Sequence, residues 1–250
     1  MRTPKITIVT PSYNQAEFLE TTILSVLEQD YKNIEYIIID GGSTDNSVEI
    51  IKKYSDRLAY WVSEPDNGQS DAINKGFKIA TGDYVGWLNS DDFYTDGAIS
   101  NLVNNIDDHA VLYYGILGYC REDGSHRMLE TVDERITAES ILNGKSCTSQ
   151  PGSFYKKEVL QKVGYLDEKL NFVMDTDLWL KLLACGVAKF VPHVMAYLRA
   201  HDASKSCNKK VADIRESQQI HIKHGGSYFS RHYIRGLYAI YTNVFTKKYK

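Results

Sequence analysis

Thr81-Gly82-Asp83-Tyr84-Val85-Gly86-Trp87-Leu88-Asn89-Ser90-Asp91-Asp92 is the stretch on which the fold turns. Tyr84, Val85, Trp87 and Leu88 form a short apolar, β-prone run entered through Gly82-Asp83, the pattern of a buried strand. The run stops abruptly at Asn89-Ser90-Asp91-Asp92. Two adjacent carboxylates at the carboxyl end of a buried strand stand where open α/β sheets place their ligands. Unpaired, they repel each other, so a cation is their natural partner. Carboxylate oxygens suit hard ions such as Mg²⁺ or Mn²⁺, which bind phosphates on their open side. Taken alone, such a run is more often a solvated acidic turn, and its surroundings have to decide between the two.

Upstream, Ile6-Thr7-Ile8-Val9 reads as the first strand, ended by Pro11-Ser12-Tyr13-Asn14. Asn14 followed by Glu17 resembles a capping box, and Leu19, Ile23, Val26 and Leu27 recur at helical spacing. A second strand over 34–39 ends at Asp40-Gly41-Gly42-Ser43-Thr44-Asp45, and Val48, Ile51 and Lys52 continue as a helix. A third strand, 58–62, leads through Ser63-Glu64-Pro65-Asp66-Asn67-Gly68 into a helical face made by Ala72, Ile73, Phe77 and Ala80. The opening stretch is thus the fourth strand. Strands alternating with helices at this spacing predict an α/β fold, with a mostly parallel sheet covered on both faces.

Downstream the pattern loosens. Residues 98–106 read as helix and 111–117 as strand, with a hairpin around Glu122-Asp123-Gly124-Ser125. Helical signals follow at 138–142 and 157–163, and Asp175-Thr176-Asp177 opens an amphipathic helix carrying Leu178, Trp179, Leu182 and Leu183. Pro192 and Tyr197-Leu198-Arg199 suggest a late edge strand. Residues 1–100 therefore read as a nucleotide-type half and 101–212 as a half able to hold a second substrate. Residues 213–250 form a helical appendage.

Composition narrows the function. At 250 residues, 43% of them hydrophobic, the chain is long enough for a core that needs no staples. A net charge of −3 gives no global pull towards nucleic acid. Cys120, Cys147, Cys185 and Cys207 lie far apart, which fits reduced thiols in a cytosolic protein rather than zinc ligands or a disulfide framework. The start reads as no signal peptide, and no stretch approaches the ~18 apolar residues of a membrane span. The expected location is cytoplasmic.

In a parallel sheet the loops 11–14, 40–45 and 89–92 share one edge and can line a single crevice. Asp40 can accept hydrogen bonds there from a base or a ribose, or it can cap the following helix. No G-x-G-x-x-G follows the first strand and no complete G-x-x-x-x-G-K-[ST] phosphate loop occurs, so dinucleotide binding and P-loop hydrolysis fit poorly.

Pro11-Ser12-Tyr13-Asn14, Asp40-Gly41-Gly42-Ser43-Thr44-Asp45, Leu88-Asn89-Ser90-Asp91-Asp92 and Asp175-Thr176-Asp177-Leu178-Trp179-Leu180 together resemble a family 2 glycosyltransferase of the GT-A fold. The likeness runs from about residue 5 to 206 and is nearest to the bacterial sugar transferases of capsule, exopolysaccharide and lipopolysaccharide assembly. It implies transfer from a nucleotide-diphosphate sugar to the hydroxyl of a glycan or lipid-linked acceptor, with inversion and with Mn²⁺ or Mg²⁺ as cofactor. By the same resemblance Asp92 is the direct metal ligand, and Asp91 binds the ribose or a metal-bound water. Asp40 contacts the nucleobase beside Pro11, Ser12 and Tyr13. His201 approaches the metal or diphosphate, and Arg199 approaches the phosphates. Gln69, Asp71 and Asn74 open the third helix on the donor side, although Asn74 is equally placed for a surface position. Asp175 matches the family's base, with Met174 where the family usually has an acid, and Asp177 is the rival. Gln150-Pro151-Gly152-Ser153-Phe154 matches a segment bordering the acceptor. A nucleotidyltransferase, or a nucleotide-sugar-binding relic without catalysis, are the competing readings.

In the tail, Ile234, Leu237, Tyr238, Tyr241 and Val244 fall on one helical face, with Arg231, Arg235, Lys247, Lys248 and Lys250 around them. Such a stripe either docks on the domain or rests on a membrane surface where lipid-linked acceptors are found.

Overall fold

The structure, a computed structural model, describes residues 3–125, 127–130, 133–146, 150–201 and 211–245, with side chains up to residue 242. What the sequence reading placed on Cys147, residues 202–206, Cys207, the side chain of Val244 and Lys247, Lys248 and Lys250 lies outside them.

In chain order the elements are β1 (Ile6–Ser12), α1 (Ala16–Leu27), β2 (Ile34–Asp40), α2 (Ser47–Lys53), β3 (Tyr60–Ser63), α3 (Gln69–Ile79), β4 (Tyr84–Trp87), β5 (Phe93–Tyr94) and α4 (Ala98–Asn104). They continue with β6 (Ala110–Arg121), β7 (Met128–Leu129), α5 (Ala138–Leu142), β8 (Ser153–Lys156), α6 (Lys157–Val163), α7 (Met174–Leu183), β9 (Val187–Ala200), α8 (Val211–Lys223) and α9 (Arg231–Phe245). The strands form one sheet in the order β3-β2-β1-β4-β8-β6-β9-β5, with β7 paired to β6. From β3 to β4 all pairs are parallel. Beyond β4 the sheet is mixed, β8 being antiparallel to both its neighbours while β6 and β9 run parallel.

The apolar runs of β1 and β2 follow from burial on both faces of a parallel sheet. Every residue of β1 is buried. Ile37 and Ile39 face a core shared with Phe77 of α3 and Leu178 of α7, whereas Tyr36 and Ile38 face one shared with Leu19 and Ile23 of α1. A Cβ on Gly76 would stand 2.4 Å from Cγ1 of Val9, so α3 lies on β1 at a distance that glycine permits.

Three local expectations are corrected. The first strand does not stop before Pro11 but pairs with β2 through Ser12. Peptide groups alternate sides along a strand, and Ser12 O accepts from Gly41 N on the β2 side, so the donor that Pro11 lacks would face β4. β4 pairs with β1 only as far as Val9, so no ladder bond is lost there. The divergence of β1 and β4 opens the crevice at the point where strand order reverses. Second, Asn14 and Glu17 form no capping box. Asn14 has φ 51° and accepts from Thr44 N, while the free N–H groups of Gln15 and Ala16 are bound by Ser47 Oγ and Asp45 Oδ2, both at 3.0 Å. The cap comes from the neighbouring loop. Third, the late strand is not an edge. β9 lies between β6 and β5, and Pro192 sits where the register with β6 slips, between Val191–Gly115 and Val194–Ile116.

The division expected at 212/213 falls in the first turn of α8. That helix buries Ile220 in the core shared with α7, and α9 packs on α8, where Gln218 donates to Tyr233 O at 3.2 Å.

Candidate active site

The carboxyl ends of β1, β2 and β4 bring Ser12, Asp40 and the turn 89–92 to one edge. Ser12 Oγ is buried with no hydrogen-bond partner among the described residues, an uncommon state for a hydroxyl, and Tyr13 beside it is exposed. Asp40 is fully buried and its oxygens are engaged by its own loop and by the end of β3. Oδ2 accepts from Ser43 N at 2.9 Å, Gly42 N at 3.2 Å and Ser63 Oγ at 2.7 Å, and Oδ1 accepts from Ser43 Oγ at 2.6 Å. Its carboxylate shapes the loop after β2. Across that loop Asp66 lies so close that a Cβ on Gly41 would meet its Oδ2 at 2.6 Å.

Asp71 accepts from Asn67 N at 3.0 Å and pairs with Lys75, which fixes the start of α3. Gln69 donates to Asn89 Oδ1 at 2.8 Å and so reaches the acidic turn. Asn74 does neither of the things expected of it. It is buried and holds residues 166–168 through Leu166 N, Leu166 O and Glu168.

The acidic turn is gripped from several sides. Thr22 of α1 donates to the carbonyls of Ser90 and Asp92, at 2.9 and 2.6 Å. Asn89 donates to Asp92 Oδ2 at 3.1 Å and to Gln150, whose amide in turn donates to Trp87 O at 2.9 Å. Arg199 is buried. Its backbone N–H binds Asp92 Oδ1 at 3.2 Å, its Nε binds Asp91 O at 3.0 Å, and its guanidinium also binds Glu122 O. The same guanidinium lies over the rings of Phe18 and Phe93, 5.0 and 5.3 Å from their centroids. His201 packs on the Phe18 ring and sets Nε2 2.9 Å from Asp91 Oδ2. Burial, and next the charge of Asp91, push Asp92 well above the ordinary carboxylate range, against the opposing N–H groups of Arg199 and Asn89. An open cleft of about 510 Å³ lined by Glu17, Arg121, Glu122, Asp123 and Ala200 lies beside these residues.

The two acids of α7 part company. Asp175 is half-buried, with Oδ1 accepting from Thr176 N at 2.7 Å. Asp177 has no exposed surface and meets Lys223 at 2.9 Å, His224 at 2.8 Å and Lys181 at 3.2 Å. Burial raises its pKa, but the hydrogen bonds from His224 and Lys223 and the charge of Lys181 win and hold it well below the usual range.

The sequence model of Glycosyl transferase family 2 matches residues 7–164. This span carries the crevice loops and the acidic turn. The chain belongs to glycosyl transferase family 2. An uncharacterized glycosyltransferase of Rickettsia typhi is 33% identical over 216 residues, which cover 80% of this chain and 65% of the relative. One of Rickettsia prowazekii is 31% identical over 233 residues, covering 87% and 70%. The chain thus spans about two thirds of the length of these relatives. Residues 1–349 of Staphylococcus aureus TarS, solved in complex with UDP-GlcNAc, superpose with a TM-score of 0.74 at 18% identity, over 97% of this chain and 73% of that solved chain. The mannosyltransferase PcManGT of Pyrobaculum calidifontis, in complex with GDP-Man and Mn²⁺, gives 0.64 at 18% identity, over 90% and 64%. The fold is that of the GT-A glycosyltransferases.

For a family 2 chain the remaining question is the metal. Among the described residues no three His, Cys, Asp or Glu side chains already stand as a metal cage. Two oxygen donors and an imidazole fit Mn²⁺ or Mg²⁺ nonetheless, because such ions keep open positions for substrate phosphates. Asp92 is buried beside Asp91, and among the described residues no cationic side chain meets its oxygens. Asp91, Asp92 and His201 are the residues that would hold the ion.

Sequence reasoning missed Thr22, Phe18, Glu122 and Asp66. Thr22 alone left a signal, being a polar residue on the buried face that Leu19, Ile23 and Val26 give α1.

Proposed function

We propose that this chain is an inverting hexosyltransferase, moving a sugar from a nucleotide-diphosphate donor to the hydroxyl of a glycan or lipid-linked acceptor in cell-surface polysaccharide synthesis. The observation that carries the reading is the acidic turn, held by Thr22, Gln69 and Arg199 at the switch point of the sheet, with His201 against Asp91. Pro11, Ser12 and Tyr13 flank the nucleoside, and the loop shaped by Asp40 closes its other side. Gln69 and Asp71 fix the start of α3 along the donor. Asp91, Asp92 and His201 would hold a Mn²⁺ or Mg²⁺ ion, which would supply positive charge to the departing diphosphate. Arg199 adds its charge from behind the turn while its N–H groups hold the backbone.

The acceptor oxygen attacks the anomeric carbon on the face opposite the diphosphate, and Asp175 takes its proton. An ordinary carboxylate is ionised at neutral pH and serves without an unusual pKa. Asp177, tied to Lys181, Lys223 and His224, is the structural member of the pair. UDP is the first nucleotide to try, on the cytoplasmic side. Asp175→Asn is expected to lower turnover by roughly 10²–10⁴ with donor binding intact. Normal turnover in Asp175→Asn, or loss in Asp177→Asn with the fold intact, contradicts the assignment. Binding without turnover by the unaltered chain favours a relic.

The tail supports a peripheral membrane contact. Tyr228, Phe229, Ile234, Leu237, Tyr238 and Tyr241 are exposed, and the last 25 residues hold five basic and no acidic side chains. Deleting residues 226–250 is expected to abolish flotation with anionic vesicles, and unchanged flotation refutes the contact. Among the described residues no helix is long and apolar enough to cross a membrane.

A further inference from the structure

Asp175 stands in the first turn of α7, where a helix ordinarily frays. Both flanks of that turn are held by one face of α8. Glu216, Ile220, Lys223 and His224 recur at i, i+4, i+7 and i+8 and so share a side of that helix. Glu216 accepts from Asn171 N with both oxygens at 3.1 Å and from Phe172 N at 2.8 Å, just ahead of the helix. Two residues beyond Asp175, the carboxylate of Asp177 takes Lys223 Nζ at 2.9 Å and His224 Nε2 at 2.8 Å. Between these grips Ile220 is buried in the core that also contains Met174 and Leu178.

We propose that α8 is a brace for the catalytic helix, with Glu216, Lys223 and His224 acting as positioning residues that fix Asp175 against the acceptor. An apolar contact would dock the two helices as firmly, because a buried ion pair gains little over well-packed hydrophobic groups. What charged hydrogen bonds add is register, along and around the axis of α7. Register matters here because displacing the base by about 1 Å can slow proton abstraction by about a hundredfold. Glu216 binds free N–H groups just ahead of the helix, and Asp177 is held on a side of α7 away from Asp175. Rotation or sliding of the first turn therefore breaks one grip or the other.

The inference rests on Asp175 being the base, and the test separates the two claims. In the full chain, Glu216→Gln removes the charge and keeps the shape. Nucleoside diphosphate release is measured with a panel of UDP- and GDP-sugars. Turnover is expected to fall roughly tenfold to hundredfold with KM for the donor unchanged. In the Asp175→Asn background the same change is expected to cost nothing further, because the brace acts through Asp175. Equal losses in both backgrounds, or a raised KM, would overturn the brace. Wild-type turnover in Asp175→Asn would overturn the base assignment instead. Hydrogen exchange gives a readout independent of turnover. Amides 171–178 are expected to exchange faster in both Glu216→Gln and His224→Asn while β1 to β4 keep their protection, and unaltered exchange there refutes the brace.

Discussion

At the amino ends of β1, β2 and β4, Glu35 is buried among Lys5 at 3.0 Å, Thr7 at 2.6 Å and Thr81, whose N–H and hydroxyl both donate to it. At the carboxyl ends of the same strands, Asp92 is buried beside a second carboxylate, with two N–H donors and, among the described residues, no cationic side chain on its oxygens. The physical consequences are opposite. Burial works against ionisation of Glu35, but the hydrogen bonds of Thr7, Thr81 and Lys5 overcome it and bring its pKa down to about 2. Burial and Asp91 together drive Asp92 upwards. One end of the sheet satisfies its charge internally and closes the fold. The other keeps a deficit that a metal and a diphosphate can fill, as functional sites do when they hold groups in environments that the fold alone would not favour.

The largest effect that separates the two ends is expected in turnover. Asp92→Asn should cost on the order of 10²–10³ in nucleoside diphosphate release, a few kcal/mol of lost charge stabilisation. Glu35→Gln should leave turnover per folded molecule unchanged. Equal losses in the two variants would erase the distinction.

In stability the order reverses. Glu35→Gln should destabilise the chain by roughly 2 kcal/mol at neutral pH in urea unfolding, because it removes an ionised acceptor from the four donors of Lys5, Thr7 and Thr81. The folded pKa of Glu35 lies below its unfolded value, so its contribution is complete above about pH 4.5 and drains away as the pH falls towards 2. The wild-type midpoint should drop through that window more steeply than that of Glu35→Gln, and parallel curves would contradict the reading. The smallest effect is expected for Asp92→Asn without metal, a change in stability within about 0.5 kcal/mol or a slight gain, since a poorly compensated charge is being removed. A marked loss would mean that Asp92 is structural after all.

Sequence carried the order of strands and helices as far as β4 and placed the acidic turn at the correct end of the sheet, because apolar runs and their abrupt polar ends are local signals; the two short strands β5 and β8 were not read. What it could not carry depends on parts of the chain brought together from afar. The cap of α1 is supplied by Asp45 and Ser47, and the inner position of β9 depends on the two-residue β5 pairing with Ala196 and Tyr197. Asp175 and Asp177 look alike in sequence, yet residues two apart on a helix point about 200° apart, so when Asp177 is held by Lys223 and His224 of α8, Asp175 points to another side of α7. Arg199 and Asp40 were legible as residues of the site. That both are bound up in holding its backbone depended on partners no motif contains, Glu122 and Ser63 among them.

The most direct test of the central claim, that the acidic turn is a metal-assisted diphosphate site, is a thermal-shift series with UDP, GDP, dTDP and CDP, each with and without Mn²⁺. The account predicts that one diphosphate at 100 times its dissociation constant stabilises the chain by about 2.7 kcal/mol in the presence of Mn²⁺. The gain should vanish without the metal and in Asp92→Asn. No shift with any diphosphate, or the same shift without metal and in Asp92→Asn, would contradict it.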